Sequence, residues 1–313
     1  MISVSTAWNA TSSDSGKKIA EQILSLGIKN IELGFSINEQ MLEQILELKK
    51  QNIIAISSVH NYCPVLPGYK PGTFTPDFFS LSSPDELQRQ KAVSLTKRSI
   101  DTVVKVGAKH LIVHAGRVEM AQRTKELIGL FNSGKRDTEE YSDLLSQIKK
   151  ERDQKKQPFI DAIVKSLDEI IQYAGLEGVN ICVENRFYHR EIPSFDELGL
   201  FFKLFNGKNN FFYWYDLGHA QVGQNLGFVK NIEYLESFKD KIAGMHMHDV
   251  SGTHDHQVPG LGDFDFSLLK PYLKKTTIKV LEIHQPATAE QIKTSIAHLK
   301  NAGILDHREY DVL

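Results

Sequence analysis

The chain has 313 residues, which suits one α/β barrel of about 250 residues with insertions better than an average globular domain. Lys and Arg number 37 against 39 Asp and Glu, and this balance makes nucleic acid an unlikely partner because such proteins carry basic surfaces. Two distant cysteines, Cys63 and Cys182, predict no disulfide framework, and without a secretory signal or a membrane-spanning apolar stretch we expect a cytoplasmic protein.

Eight short apolar segments recur along the chain, with helical patterns between them. Some are continuously apolar, as in Leu111–Val113 and Ile181–Val183, which is typical of parallel strands that are covered on both faces. The predicted strands are Ile2–Ser5, Asn30–Leu33, Ile53–Val59, His110–Val113, Asn180–Val183, Phe212–Tyr215, Gly244–Met247 and Lys279–Ile283. This order predicts an α/β fold, a (βα)8 TIM barrel forming a single domain over residues 1–313. A doubly wound sheet is the alternative.

The connection between the fourth and fifth strands is longer than one helix requires. It spans about 65 residues, more than a usual βα connection, so a helical insertion is predicted there. Its stretch Lys149–Lys156 is dense in mixed charge, which indicates a solvated helix. A lid or an oligomer arm is the functional alternative for residues 130–160.

Polar residues stand where six successive predicted strands end. These residues are His60, His114, Glu184, Asp216, His246 with His248, and Glu282 with His284. The catalytic side chains of TIM barrels lie at these strand ends, and a carboxylate that follows a buried strand is costly unless it is paired or metal-bound. The predicted ligands of a divalent cation are Glu184, Asp216, His246 and Glu282. Mixed carboxylate and imidazole donors favour Mn²⁺, Co²⁺ or Zn²⁺.

Three further features point to the same end of the barrel. Glu32 ends the second strand and is expected to position a substrate. His219 lies one turn after Asp216, where it could face the cavity or cap the following helix. The histidine-rich loop after the seventh strand contains Pro259-Gly260 and Gly262, whose turns are predicted to fold it back over the mouth.

Five short motifs carry a family resemblance that extends over nearly the whole chain. They are Val183-Glu184-Asn185-Arg186-Phe187, Asp216-Leu217-Gly218-His219, Gly244-Met245-His246-Met247-His248-Asp249, Pro259-Gly260-Leu261-Gly262-Asp263-Phe264-Asp265-Phe266 and Leu281-Glu282. Their order and placement resemble the xylose-isomerase-like TIM-barrel superfamily. This superfamily contains sugar phosphate isomerases and epimerases, ketose 3-epimerases, inosose dehydratases and apurinic endonucleases of the endonuclease four type.

The resemblance implies a metal-dependent sugar or sugar-phosphate isomerase or epimerase, in which Glu184 and Glu282 act as the acid/base pair. The implied metal ligands are the four residues predicted above. The implied substrate is a small sugar or polyol, and a homo-oligomer is compatible with the pattern. Candidate substrate-binding residues are His219, Arg186, His60, His114 and Glu32. Arg186 has an ion pair with a barrel carboxylate as its alternative role.

The endonuclease branch implies further metals. The matching extra ligands are His60, His114, His219 and His256, whereas His254 stands two residues before His256 where that branch has an aspartate. Arg186-Phe187-Tyr188-His189 replace the small residues and glycines of that branch, which favours a closed pocket for a small polyol. A multinuclear phosphodiesterase and a dehydratase or lyase acting on a keto-polyol remain the alternatives.

Overall fold

The computed structural model describes residues 1–70 and 72–305, so the last eight residues of the predicted domain lie outside the described part. Within that part, eight parallel strands form a closed barrel. They are β1 Ile2–Ser5, β2 Asn30–Leu33, β3 Ala55–His60, β4 His110–Val113, β5 Asn180–Glu184, β6 Phe211–Asp216, β7 Ile242–Met247 and β10 Ile278–Leu281. Because β1 pairs with both β2 and β10, the sheet has no edges. The barrel prediction is therefore confirmed, and the doubly wound alternative is wrong.

Helices connect the strands and surround the barrel. They are α1 Gly16–Leu24, α2 Glu39–Lys50, α3 Glu86–Lys105, α4 Thr124–Asn132, α5 Glu139–Lys155, α6 Gln157–Leu176, α7 Phe195–Leu204, α8 Leu217–Asn225, α9 Asn231–Phe238 and α10 Ala289–Asn301. Short 3₁₀ helices cover Thr6–Trp8, Ala10–Ser12 and Phe266–Tyr272, and an antiparallel hairpin of β8 Asp249–Ser251 and β9 His254–Gln257 follows β7. None of the helices in the described residues is long and apolar enough to cross a membrane.

Apolar side chains inside the barrel close it below the polar strand ends. Trp214 is fully buried there and packs with residues of the neighbouring strands, among them Ile112 and Cys182. Gly244 on β7 gives the indole its space, because a Cβ at this position would lie 2.3 Å from a Trp214 ring atom. The larger core lies between the strands and the helices. This packed interior fixes the strand ends as a rigid rim.

The insertion between β4 and β5 consists of α4, α5 and α6, as the chain length predicted. The prediction of a solvated helix is wrong for Arg152, because its side chain is only 3% exposed and pairs with Glu197 at the start of α7. Lys149 donates from Nζ to the Gly227 carbonyl at 3.0 Å. Tyr141 donates its hydroxyl to the Leu226 carbonyl at 3.1 Å. These contacts hold α5 against the loops that follow β5 and α8.

Candidate metal centre and active site

Four side chains from the last four barrel strands converge at the rim. Glu184 and Asp216 end β5 and β6, His246 lies on β7, and Glu282 directly follows β10. One donor atom of each lies within 4.8 Å of the others, and all four residues are buried. His246 Nδ1 is 2.7 Å from Glu184 Oε1, 3.1 Å from Glu282 Oε2 and 3.5 Å from Asp216 Oδ2. The structure thus brings together the four predicted ligands.

Three carboxylates share one imidazole in this cluster. Burial, opposed by His246 but reinforced by the other carboxylates, raises the pKa of Glu282 to about 8. The pKa of His246 is held well above its ordinary value because the surrounding carboxylates outweigh the effect of burial. Three carboxylates and one imidazole around a common point form a donor set that suits a divalent cation. The residues present therefore fit the metal that the fold family implies.

Glu32 lies behind His246. Its Oε1 is 3.1 Å from His246 Nε2, and its Oε2 accepts a hydrogen bond from Ser58 Oγ at 2.8 Å. A proton on Nε2 shared with Glu32 leaves the Nδ1 lone pair facing the other carboxylates, as metal-binding histidines usually require. Glu32 is completely buried. Its contacts are those of a residue that orients His246, whereas the sequence suggested a substrate contact.

His248 holds the carboxylate of Asp216, a role that the sequence reasoning missed. Its Nε2 lies 3.1 Å from both Asp216 oxygens, and its Nδ1 accepts the His256 N–H at 2.8 Å. The available signal was the alternation His246-Met247-His248, which places both imidazoles on one side of the chain. Gly218 makes room, since a Cβ there would lie 2.0 Å from His248 Cε1. This close approach explains the glycine in the Asp216–His219 motif.

A second group of side chains surrounds the other oxygen of Glu184. His114 Nε2 and Arg186 Nη1 each lie 3.1 Å from Glu184 Oε2, and His60 Nε2 lies 3.6 Å away. His60, His114 and Glu184 could hold a metal by their spacing. The sequence named these two histidines and Arg186 as substrate-binding residues. In the structure all three are buried and contact Glu184, so Arg186 makes the ion pair that was its alternative role.

A third group lies on the opposite side, formed by His219, Asp255 and His256. His219 Nδ1 is 3.1 Å from the Asn185 carbonyl and His256 Nδ1 is 3.0 Å from the Glu282 carbonyl. Both imidazoles therefore donate from Nδ1 and direct Nε2 towards Asp255 Oδ2, at 3.6 Å and 3.5 Å. The helix cap considered for His219 is made by its backbone N–H, which donates to Asp216.

The loop after β7 folds back over the rim, as its turn residues predicted. Asp249 accepts hydrogen bonds from the backbone N–H groups of Val250, Gly260 and Phe264 at 2.9, 2.8 and 3.0 Å. The hairpin of β8 and β9 carries His256, whose ring stacks on His284 with centroids 3.7 Å apart. The carboxylate in this hairpin that reaches the site is Asp255. His254 stands where the endonuclease branch has an aspartate, and here the carboxylate of the next residue, Asp255, approaches His219 and His256 instead.

A cavity of about 460 Å³ extends from the rim towards the insertion. His219 and Arg186 line its inner end, and Lys149 and Lys156 of the α5 region line its outer end. Aromatic rings form part of the wall, where His189 stacks on Phe228 with centroids 4.2 Å apart. Charged, polar and aromatic side chains together line this space. Its size and lining suit a small polar molecule.

The chain matches the family model for the xylose isomerase-like TIM barrel over residues 20–302. It therefore belongs to the xylose isomerase-like TIM-barrel family, as its motifs indicated.

Particular relatives show how far the likeness extends. An uncharacterized protein of Methanocaldococcus jannaschii is 30% identical over 146 residues, which cover 45% of this chain and 53% of that protein. The match thus spans about half the length of this curated relative. A D-tagatose 3-epimerase-like protein superposes with a TM-score of 0.64 at 18% identity over 96% of each chain. The 3-keto-D-glucoside 4-epimerase of E. coli has a TM-score of 0.66 at 14% identity, covering 96% of this chain and 98% of its own. At these identities the solved structures show a shared fold.

Proposed function

We propose that this protein is a metal-dependent isomerase or epimerase that acts on a sugar or sugar phosphate. The observation that carries the proposal is the placement of two buried glutamates, Glu184 and Glu282, in contact with His246 Nδ1 within one cluster of metal-binding type. The fold shared with solved sugar epimerases supports the same substrate class. Mn²⁺, Co²⁺ and Zn²⁺ are the cations that the donor set favours.

The reaction requires a proton to leave a carbon next to a carbonyl group and to return on the other face or at the neighbouring carbon. A divalent cation would polarise the carbonyl and stabilise the negative charge that develops on its oxygen. Glu184 and Glu282 project from β5 and from the end of β10, so that each can reach a different side of a small substrate. One carboxylate accepts the proton and the other delivers one.

Substrate access is proposed from the cavity that ends at His219 and Arg186. Its polar groups can bind hydroxyl groups, and its aromatic rings can pack against the apolar face of a sugar ring. Lys149 and Lys156 line this cavity together with Asp153, the ion-pair partner of Lys156, so both phosphorylated and unphosphorylated sugars belong among the substrates to test.

The test is solvent deuterium exchange into a panel of ketoses, keto-inositols and their phosphates, followed by mass spectrometry with Mn²⁺ or Co²⁺ bound. We expect exchange in at least one compound and a loss of about 10²–10⁴-fold in Glu184→Gln and Glu282→Gln, the usual contribution of acid/base groups. Glu177→Gln, an exposed glutamate after α6, is the matched control. Full activity in both site variants would refute the acid/base assignment. Product analysis separates an epimerase from a dehydratase or lyase using the same bases.

A second candidate is a phosphodiesterase with two metals, because His219, Asp255 and His256 form an additional group of metal-binding spacing. Such enzymes hold their metals roughly 3.5–4 Å apart. Elemental analysis and incubation with an abasic DNA duplex distinguish the two functions. One ion per chain without cleavage favours the sugar enzyme, whereas two ions with cleavage, abolished by Asp255→Asn, would favour the phosphodiesterase.

A further inference from the structure

We infer that the guanidinium of Arg186 serves as a permanent cation in the site formed by His60, His114 and Glu184, so that no metal ion binds there. This inference rests on the proposed metal centre, and it states that the metal centre does not extend to His60 and His114. It makes Arg186 a positioning residue for Glu184.

The two histidines by themselves are arranged like metal ligands. His60 Nδ1 is 2.9 Å from the Asn61 carbonyl, and His114 Nδ1 is 3.2 Å from Asp77 Oδ2. Both rings can donate from Nδ1 to these oxygens, which leaves the Nε2 lone pairs directed towards Glu184. The rings lie edge to face, with centroids 4.8 Å apart. Without Arg186, these two lone pairs and one carboxylate oxygen would be available to a cation.

Arg186 supplies hydrogen atoms to those positions. Its Nη1 lies 3.1 Å from Glu184 Oε2 and also contacts His114 Nε2. An Nη atom of a guanidinium carries two hydrogens, so a single nitrogen can donate to both groups. A metal ion would need the same two lone pairs. Occupation by Arg186 and occupation by a metal are therefore mutually exclusive while the guanidinium stays in place.

Two further carboxylates keep the guanidinium there. Nη2 of Arg186 lies 3.5 Å from Asp77 Oδ2 and 3.6 Å from Glu191 Oε1. Glu191 is itself fixed, because its Oε2 accepts the Tyr188 N–H at 2.8 Å. The Arg186 side chain is only 8% exposed. Moving it would leave buried carboxylates without their counter-ion, and a divalent cation beside it would meet a like charge in a poorly screened environment.

The group formed by His219, Asp255 and His256 has no comparable guanidinium within it among the described residues. Asp255 lies between the Nε2 atoms of His219 and His256, and no Lys or Arg in the described part of the chain forms an ion pair with it. The two sides of the central cluster are therefore not equivalent. Arg186 excludes a metal held by His60, His114 and Glu184, whereas the side formed by His219, Asp255 and His256 is decided by the metal count proposed above.

The experiment compares zinc binding in the wild type, Arg186→Met and Arg186→Lys. Each protein is equilibrated with excess ZnCl₂ and desalted, its zinc content is measured, and zinc positions are taken from anomalous diffraction. In the wild type we expect no zinc within bonding distance of His60 Nε2 and His114 Nε2. Arg186→Met should gain one zinc per chain at this position, and Arg186→Lys, which keeps the charge, should gain none.

Two control variants test whether the additional zinc ion of Arg186→Met binds between His60 and His114. Arg186→Met combined with His114→Ala should lose the additional zinc. Arg190→Met, which removes a nearby guanidinium that donates to the Met120 carbonyl, should leave the zinc content unchanged. Circular dichroism identifies any variant that does not fold, and the wild-type zinc map tests the inference without a substitution.

Zinc bound between His60 and His114 in the wild type would overturn the inference, as would a folded Arg186→Met with no additional zinc. Failure of the proposed function has a different signature, namely no zinc at Glu184, Asp216, His246 and Glu282 in the wild type.

Discussion

Two groups of buried charges in this barrel differ in how they are balanced. In the first, Arg152 of the insertion meets Glu197 of α7 with two hydrogen bonds of 2.6 and 2.8 Å, so one positive charge faces one negative charge. In the second, the single imidazole of His246 contacts three carboxylates, those of Glu32, Glu184 and Glu282. A balanced pair needs nothing more than its own geometry, whereas an excess of buried carboxylates needs a bound cation or protons.

The comparison separates a structural role from a functional one. Arg152 also donates to the Glu191 carbonyl at 3.0 Å, so the insertion is attached to the segment that holds Arg186. The pair fixes a wall of the cavity and offers no free ligand. The cluster at the strand ends has donor atoms that converge on one point instead. Charge balance therefore distinguishes the two groups where burial alone does not.

The largest effect on stability is expected from breaking the balanced pair. Arg152→Met leaves Glu197 buried without its partner and should lower the free energy of unfolding by about 3–5 kcal/mol. Urea denaturation measures this loss. Arg152→Met combined with Glu197→Gln should recover most of it, because no unpaired charge remains and the glutamine can still accept from the Ser194 N–H. A loss below about 1 kcal/mol in the single variant would show that the pair is not structurally important.

A smaller effect is expected from Glu32, which contacts the metal-ligand candidate His246. Glu32→Gln weakens the hydrogen bond that orients His246 and should reduce metal affinity about 10–100-fold, as for other residues behind metal ligands. Competition with a chelator measures this affinity, and Glu47→Gln, an exposed glutamate of α2, is the control. Unchanged affinity together with a raised KM would instead support the substrate contact that the sequence suggested for Glu32.

The barrel could be predicted because both faces of its strands are buried, which leaves continuous apolar runs in the sequence. The polar residues that end the strands could be predicted as a site, because the carboxyl ends of all strands meet at one rim. Glu184, Asp216, His246 and Glu282 were identified in this way. The strand boundaries were less exact, and β3 begins at Ala55 rather than at Ile53.

The contacts around these ligands could not be predicted, because they depend on loops. Asp77 reaches His114 from the segment between β3 and α3, and no pattern in the sequence marks it. His254 was considered because it stands two residues before His256, where the endonuclease branch has an aspartate. His256 adopts a positive φ of 52°, outside regular strand geometry, and it is Asp255 that approaches His219. The residue types in this segment do not predict this local backbone conformation of His256.

The smallest expected effect is the pH dependence of metal binding, which follows from the protonation of Glu282. Burial and the neighbouring carboxylates raise the pKa of Glu282 to about 8, so the metal-free protein holds a proton there at neutral pH. A cation must displace this proton and the one on His246 Nδ1, so the apparent affinity for Mn²⁺ should rise by more than about tenfold per pH unit between pH 7 and 8. The same raised pKa predicts that the stability of the metal-free protein falls as the pH rises from about 4.5 to 8, because the folded state binds more protons than the unfolded state there.

Calorimetric titration at pH 7 in two buffers of different ionisation enthalpy measures the proton release directly. We expect about two protons per Mn²⁺ in the wild type, one from Glu282 and one from the His246 imidazolium, and about one fewer in Glu282→Gln, whose binding is weaker but whose amide does not titrate. Release that is the same in both proteins would mean that another group carries the proton. Glu282 would then be ionised in the metal-free protein, and the released protons would come from His246, which contacts Glu184 and Glu282.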